Sequence, residues 1–170
     1  MRSKSLWSPS KGFIQSTNIF DFISFISDDA GFSIDLDLDP ESQYRQLYNW
    51  SINSAEDFWA SFLKFSNIKY DKDFNLVCDD ITKMPGAKWF EGIELNFAEN
   101  LLLNKSDEIA IHFYGENEVY RSLSFNDLYH RVSKLVQYFK SINIGKGDRV
   151  CAYTPNTPEA VIGMLASASI

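Results

Sequence analysis

The chain has 170 residues, 45% hydrophobic and 23% charged, with a formal net charge of −7 and an isoelectric point near 4.8. This is globular rather than disordered material, one domain or part of a larger one. An acidic surface disfavours a nucleic-acid partner, no apolar run is long enough for a bilayer, and Cys78 and Cys151 stand at no metal-ligand spacing.

In chain order, residues 1–11 are polar and lead into no continuous apolar core, so no targeting segment is read there. Two reduced, partly buried thiols are expected rather than a lone disulfide, and the chain reads as soluble and cytoplasmic. Thr17 or Asn18 caps a helix to about Ile26, with Ile19, Phe22, Ile23 and Ile26 at helical spacing. Residues 31–40 alternate Ile34, Leu36 and Leu38 with Asp35, Asp37 and Asp39. They lack the glycine and glutamate of a calcium loop and read as a solvated acidic connector.

Residues 41–50 and 54–65 predict two helices, the second opened by a Ser54–Asp57 capping box. Phe58, Trp59, Phe62 and Phe65 form a stripe read as core, because no basic residues interleave with them as on a base-stacking platform. Residues 67–80 are polar and irregular, with a short strand at 76–78, and Met84-Pro85-Gly86 is a turn. Residues 96–103 predict a helix. A hairpin over 107–127 turns at Gly115-Glu116-Asn117 and returns from Val119 to Leu123. Ser124 with Asp127 caps a long helix to about Ile142, with Leu128, Val132, Leu135, Val136 and Phe139 on one face.

Residues 145–148 then turn, 150–153 predict an apolar strand, and Thr157 caps a last helix with Pro158 at its first position. Helix, apolar strand, helix is the order of a parallel sheet covered by helices, so the fold class is α/β. The last helix, Pro158–Ile170, is nearly uncharged and no strand follows it. The unit is read as incomplete, and the isolated chain as prone to associate.

Few motifs carry chemistry. Gly145-x-Gly147 follows a helix and precedes a strand, the reverse of a phosphate loop. His112 and His130 have no serine, cysteine or carboxylate at motif spacing, and Asp79-Asp80 reads as a solvated pair. The strand-to-helix turn Pro155–Pro158 is the nearest thing to a functional loop, with a purely structural turn favoured. No catalytic, cofactor-binding or metal-ligating residue is assigned.

The stretch from Met84 through Trp89-Phe90 to Leu102 resembles the segment that opens the main domain of acetoacetyl-CoA synthetases, which are adenylate-forming acyl-CoA ligases. Leu6-Trp7-Ser8-Pro9-Ser10, Trp50-Ser51 and Phe58-Trp59 are similar to their amino-terminal extension. Gly147-Asp148-Arg149-Val150 and Pro155-Asn156-Thr157-Pro158-Glu159-Ala160-Val161 are similar to a pattern of acyl-CoA synthetases generally. Acetate-activating relatives carry Asn-x-x-Asp-Arg after the same helix. Here those positions are Asn100, Leu101, Leu102, Leu103 and Asn104, which favours the acetoacetate branch.

The resemblance implies a helical extension over 1–104 and the truncated start of an AMP-binding domain over 105–170. It implies a ligase of lipid and ketone-body metabolism that activates acetoacetate with ATP and magnesium as an acyl-adenylate and passes the acyl group to CoA. The family's phosphate loop, ribose acid and catalytic lysine match no position before Ile170. This chain is therefore expected to bind no cofactor, to be inactive alone, and to have the remainder of a ligase as its partner. Another short-chain acyl-CoA synthetase and a non-catalytic remnant are the alternatives. Trp89 and Phe90 are expected to anchor the extension to the α/β body.

Overall fold

The computed structural model describes residues 6–170, so the reading of the first five residues lies outside the described part. Contacts divide the chain into a first unit, reaching Ile68 and resuming over Asp73–Ile93, and a second, Lys69–Lys72 with Glu94–Ile170.

The first unit contains α1 (Lys11–Gln15), α2 (Asn18–Asp29), α3 (Pro40–Asn53), α4 (Ala55–Phe65), β1 (Leu76–Cys78) and β2 (Trp89–Glu91). The Thr17 hydroxyl accepts the Phe20 N–H, which starts α2 at the expected place. The helix runs three residues past Ile26. The first residue able to turn it off at no steric cost is Gly31, at φ +62°. Asp39 caps α3, with Pro40 at a position where a missing N–H is harmless.

Ser54 does not cap α4. It ends α3 as well, donating its N–H to the Trp50 carbonyl, and its backbone at φ −129°, ψ 52° leaves the hydroxyl without a capping bond. The acidic connector is less solvated than expected. Ile34 is buried, and α3 holds the loop: Gln43 Nε2 donates to the Leu36 and Leu38 carbonyls at 3.0 and 2.8 Å.

The core of this unit is Phe22, Ile23, Ile26, Ile34, Leu47 and Trp50, with Phe25, Phe32, Phe58 and Phe65 packed on it. The aromatic stripe of α4 therefore splits. Phe58 and Phe65 join the core, whereas Trp59 and Phe62 remain 40% and 39% exposed. Strands β1 and β2 pair antiparallel, with Cys78 opposite Trp89. Trp89 meets Trp59 edge-on at 6.0 Å and Phe90 meets Phe74 at 5.1 Å. Both ring partners belong to the first unit.

The second unit contains α5 (Phe97–Leu101), β3 (Ile109–Tyr114), β4 (Tyr120–Ser124), α6 (Phe125–Ser141) and α7 (Pro158–Ala168). Strands β3 and β4 form the expected hairpin, Tyr114 opposite Tyr120. Its turn is longer than read from the sequence: Gly115 N–H donates to the Val119 carbonyl, and Asn117 and Glu118 both take positive φ. Ser124 and Asp127 form the capping box of α6 with both reciprocal bonds present. Leu128, Val132 and Phe139 are buried, joined in the core by Ala98, Leu102, Leu123, Ile162, Leu165 and Ala166, with Leu135 and Val136 packed on it.

The expected strand over 150–153 is absent. The segment lies outside every strand pair among the described residues, with Val150 41% exposed and Tyr153 wholly exposed. An apolar run does not make a strand by itself: a strand also needs a neighbour's N–H and C=O groups, and none among the described residues pairs with this segment. The sheets among the described residues are two antiparallel pairs and no parallel one. Helices and strands are mixed along the chain as an α/β reading requires, but the parallel arrangement is not formed. Cys78 is buried as a free thiol. Cys151 is free and exposed, against the expectation that both would be partly buried. No helix among the described residues is long and apolar enough to cross a membrane.

Candidate functional site

The turn Pro155–Pro158 is the best-defined candidate. Thr157 N–H donates to the Pro155 carbonyl at 2.8 Å, and Pro158 opens α7. Thr157 occupies the cap position, but its side chain makes no capping bond to the helix; the hydroxyl instead helps stabilise the Glu159 carboxylate. That carboxylate receives both arms of the Arg121 guanidinium from β4, at 2.9 and 3.1 Å. Arg121 also lies over the Phe113 ring, 4.9 Å from its centroid. The guanidinium holds the Glu159 carboxyl down to about 2, helped by the residue's own N–H and by Thr157. With its fork filled by a carboxylate, Arg121 is a clamp between the hairpin and the start of α7, not an open anion site.

The glycine turn is likewise occupied. Gly147 takes φ +97°, a conformation open to glycine, and Gly145 N–H donates to Asp148 Oδ2 at 2.9 Å. The amide that a phosphate would need is bonded to a carboxylate that would repel it. No group of three or more His, Cys, Asp or Glu among the described residues is placed to hold a metal ion. Among the described residues the Gly145 amide is therefore not free for a phosphate, and no chemical step through ATP or magnesium is assigned to them. The histidines stay apart. His112 Nδ1 lies 2.8 Å from the Tyr120 hydroxyl, and the His130 ring stands against Tyr129.

Asp79 and Asp80 are not a plain solvated pair. Asp79 accepts Lys83 Nζ at 2.6 Å and the Lys88 N–H at 2.8 Å, which holds its carboxyl at about 2, Lys83 contributing most. Asp80 accepts the N–H and hydroxyl of Thr82. Each carboxylate closes part of the loop around Met84-Pro85. The Asp79–Lys83 spacing and the Asp80-x-Thr82 pattern were the available signals.

Two asparagines were missed as positioning residues. Asn96 Oδ1 accepts Glu99 N–H to cap α5, while its Nδ2 donates to Ala168 O, a carbonyl at the end of α7. Asn100 accepts the Lys69 N–H and donates to the Lys69 carbonyl, at 2.8 and 2.9 Å, which holds Lys69–Lys72 in the second unit. A side-chain amide offers a donor and an acceptor together, and both residues lie in the stretch that carries the family resemblance.

These elements match known proteins. Residues 44–101 match the family described as acetyl-coenzyme A synthetase N-terminus, and residues 98–170 match the AMP-binding enzyme family. The two matches overlap at residues 98–101 and together span residues 44–170.

Over its whole length the chain is homologous to the amino-terminal part of acetoacetyl-CoA synthetases. It is 41% identical to acetoacetyl-CoA synthetase of Mus musculus over 133 residues, 75% of this chain and 19% of that protein. With the Gallus gallus enzyme the identity is 34%, covering 100% of this chain and 25% of the relative. The structure of acetoacetyl-CoA synthetase from Streptomyces lividans superposes with a TM-score of 0.77 at 27% identity, covering 97% of this chain and 25% of that one. The chain spans a quarter or less of the length of these relatives.

Proposed function

We propose that this chain is the amino-terminal portion of an acetoacetate–CoA ligase. The carrying observation is homology along the full chain to acetoacetyl-CoA synthetases, together with the two overlapping family matches. In the complete enzyme ATP and magnesium would activate acetoacetate and CoA would accept the acyl group. This portion contributes the extension, proposed as residues 1–104, and the start of the adenylation domain, proposed as residues 105–170. We assign no catalytic residue here. Arg121–Glu159, Asp79 and the two asparagines hold the framework. The partner of this portion is the remaining ligase sequence, and the two free thiols suit a cytoplasmic setting.

The test is a chimera in which this chain replaces the matching quarter of the Streptomyces lividans enzyme, assayed for acetoacetate-dependent pyrophosphate release and thioester formation. The proposal expects a folded, active chimera that keeps its acetoacetate preference, and the 170-residue chain alone at the level of a blank. A folded but inactive chimera would favour the non-catalytic remnant. A changed acid preference would favour another short-chain acyl-CoA synthetase.

A further inference from the structure

A cavity of about 740 Å³ opens within the second unit. That lies inside the range of small-molecule sites, roughly 300–1,000 Å³. Its floor is apolar, with Leu102 and Val132 buried and Val136 half-buried. One wall is a face of α6. Ser133, Gln137 and Lys140 are separated by four and then three residues, so their side chains line up toward the same opening. Lys105 enters from the segment before β3, its Nζ 4.0 Å from the centroid of Tyr129, another lining residue.

Among the described residues Ser133, Gln137 and Lys140 make no side-chain hydrogen bond or ion pair, and Lys105 meets the Tyr129 ring. The ion pair within the lining is Lys69–Glu99, at 3.8 Å, and it leaves Lys105 and Lys140 without a carboxylate. No hydrogen bond to a described residue is formed by the Ser133 hydroxyl or the Gln137 side-chain amide. Two ammonium groups and two neutral donors therefore surround an apolar floor. The one further carboxylate, Asp71, weighs against highly charged ligands. With Lys69 paired to Glu99, the charges left in the lining are Asp71, Lys105 and Lys140, an excess of one positive charge.

We infer that this cavity binds a small organic anion, a carboxylate or phosphate monoester on a short aliphatic body. The charged head would lie between Lys105 and Lys140, where charge-assisted hydrogen bonds can form, and the body on Leu102, Val132 and Val136. The inference stands apart from the ligase reading, because it rests on the cavity alone.

Backbone amide shifts in the isolated chain would be followed while titrating hexyl phosphate, hexanoate, hexylammonium and inorganic phosphate. The inference expects saturable shifts at Lys105, Ser133, Gln137 and Lys140 with hexyl phosphate or hexanoate, at dissociation constants of about 1 mM or tighter. The stronger of the two identifies the head group. Inorganic phosphate lacks the apolar body and should bind about tenfold more weakly, and hexylammonium should produce no saturable shift. Lys105→Gln and Lys140→Gln should each weaken binding about tenfold without changing the circular dichroism spectrum. Equal binding of hexylammonium, unchanged affinity in both lysine variants, or the absence of saturation with either anion would overturn the inference.

Discussion

In the first unit Phe22 meets three other phenylalanine rings, Phe58, Phe62 and Phe65, at 5.7, 5.7 and 5.1 Å. In the second unit the centre is aliphatic: Ala98 and Ala166 are fully buried and Val132 is 1% exposed, with Phe139 the one buried ring of that core. Both solve the same problem of removing apolar surface from water, by different means. A ring covers a large area and keeps its edge-to-face preferences at centroid separations near 5–6 Å, so short helices joined by loops can share a core without close backbones. Small aliphatic residues cover little area each. They require helices to approach closely, which places alanine where α5, α6 and α7 meet. The first unit should therefore fail when a ring is removed, and the second when a methyl-sized space is overfilled.

The largest expected effect is in the aromatic core. Trp50 is stacked on Phe32 at 4.7 Å and meets Phe58 edge-on at 5.7 Å. Trp50→Ala should cost about 3–5 kcal/mol in urea denaturation. Amide exchange should accelerate first in α2, α3 and α4, with α6 protected for longer. Simultaneous loss in both units would break the comparison, because it would mean that they share one cooperative transition.

Next comes the aliphatic core. Ala166→Leu adds three carbons at a position with no exposed surface and should cost about 1–3 kcal/mol through overpacking. A neutral result in the same denaturation experiment would show that α6 and α7 can separate freely, and the close-approach account of the second unit would fall.

A smaller effect separates two identical sequence signatures, one in each unit. Ser124→Ala removes an observed capping box and should cost about 1 kcal/mol. Ser54→Ala removes no capping bond and should stay within about 0.5 kcal/mol. Equal losses by thermal melting would mean that Ser54 caps α4 in solution.

The smallest effect is electrostatic. Glu159 is held down to about 2 in the folded chain, whereas an unfolded glutamate titrates near 4.3. On acidification the unfolded state takes up this proton first. The pair's contribution is therefore complete above the unfolded value and is lost as pH falls from about 4.3 through about 2. Both side chains are about half exposed, so screening limits the contribution to about 0.5 kcal/mol. Glu159→Gln should remove part of the acid slope of stability and leave the part due to Asp79, which titrates in the same window. An unaltered slope would show that the Arg121 clamp does not persist in solution.

Much of this fold was legible because its causes are local. Thr17 and Ser124 sit three residues before the N–H groups they accept, so capping depends on nearby backbone alone. The strand at Leu76–Cys78 follows from a short apolar run, and the β3–β4 hairpin from alternation and a turn residue at Gly115. Ser54 misled because the same residue had to finish α3, a demand invisible in the Ser-x-x-Asp spacing. The candidate site was half legible. The Pro155–Pro158 turn stood out by composition, but Arg121, 38 positions before Glu159, did not.

By itself the sequence determined the family resemblance, the helix starts with a local cap, the hairpin, and the placement of Pro158 and Gly147, since each depends on a few consecutive residues. Tertiary structure decided which rings of the α4 stripe are covered and that Ile34 belongs to a core. It also decided that Asn100 holds Lys69, that Arg121 clamps Glu159, and that residues 150–153 stay unpaired. These outcomes need groups distant in the chain to meet, and a backbone N–H or a buried ring is satisfied by what stands beside it in space, not by what precedes it in the chain.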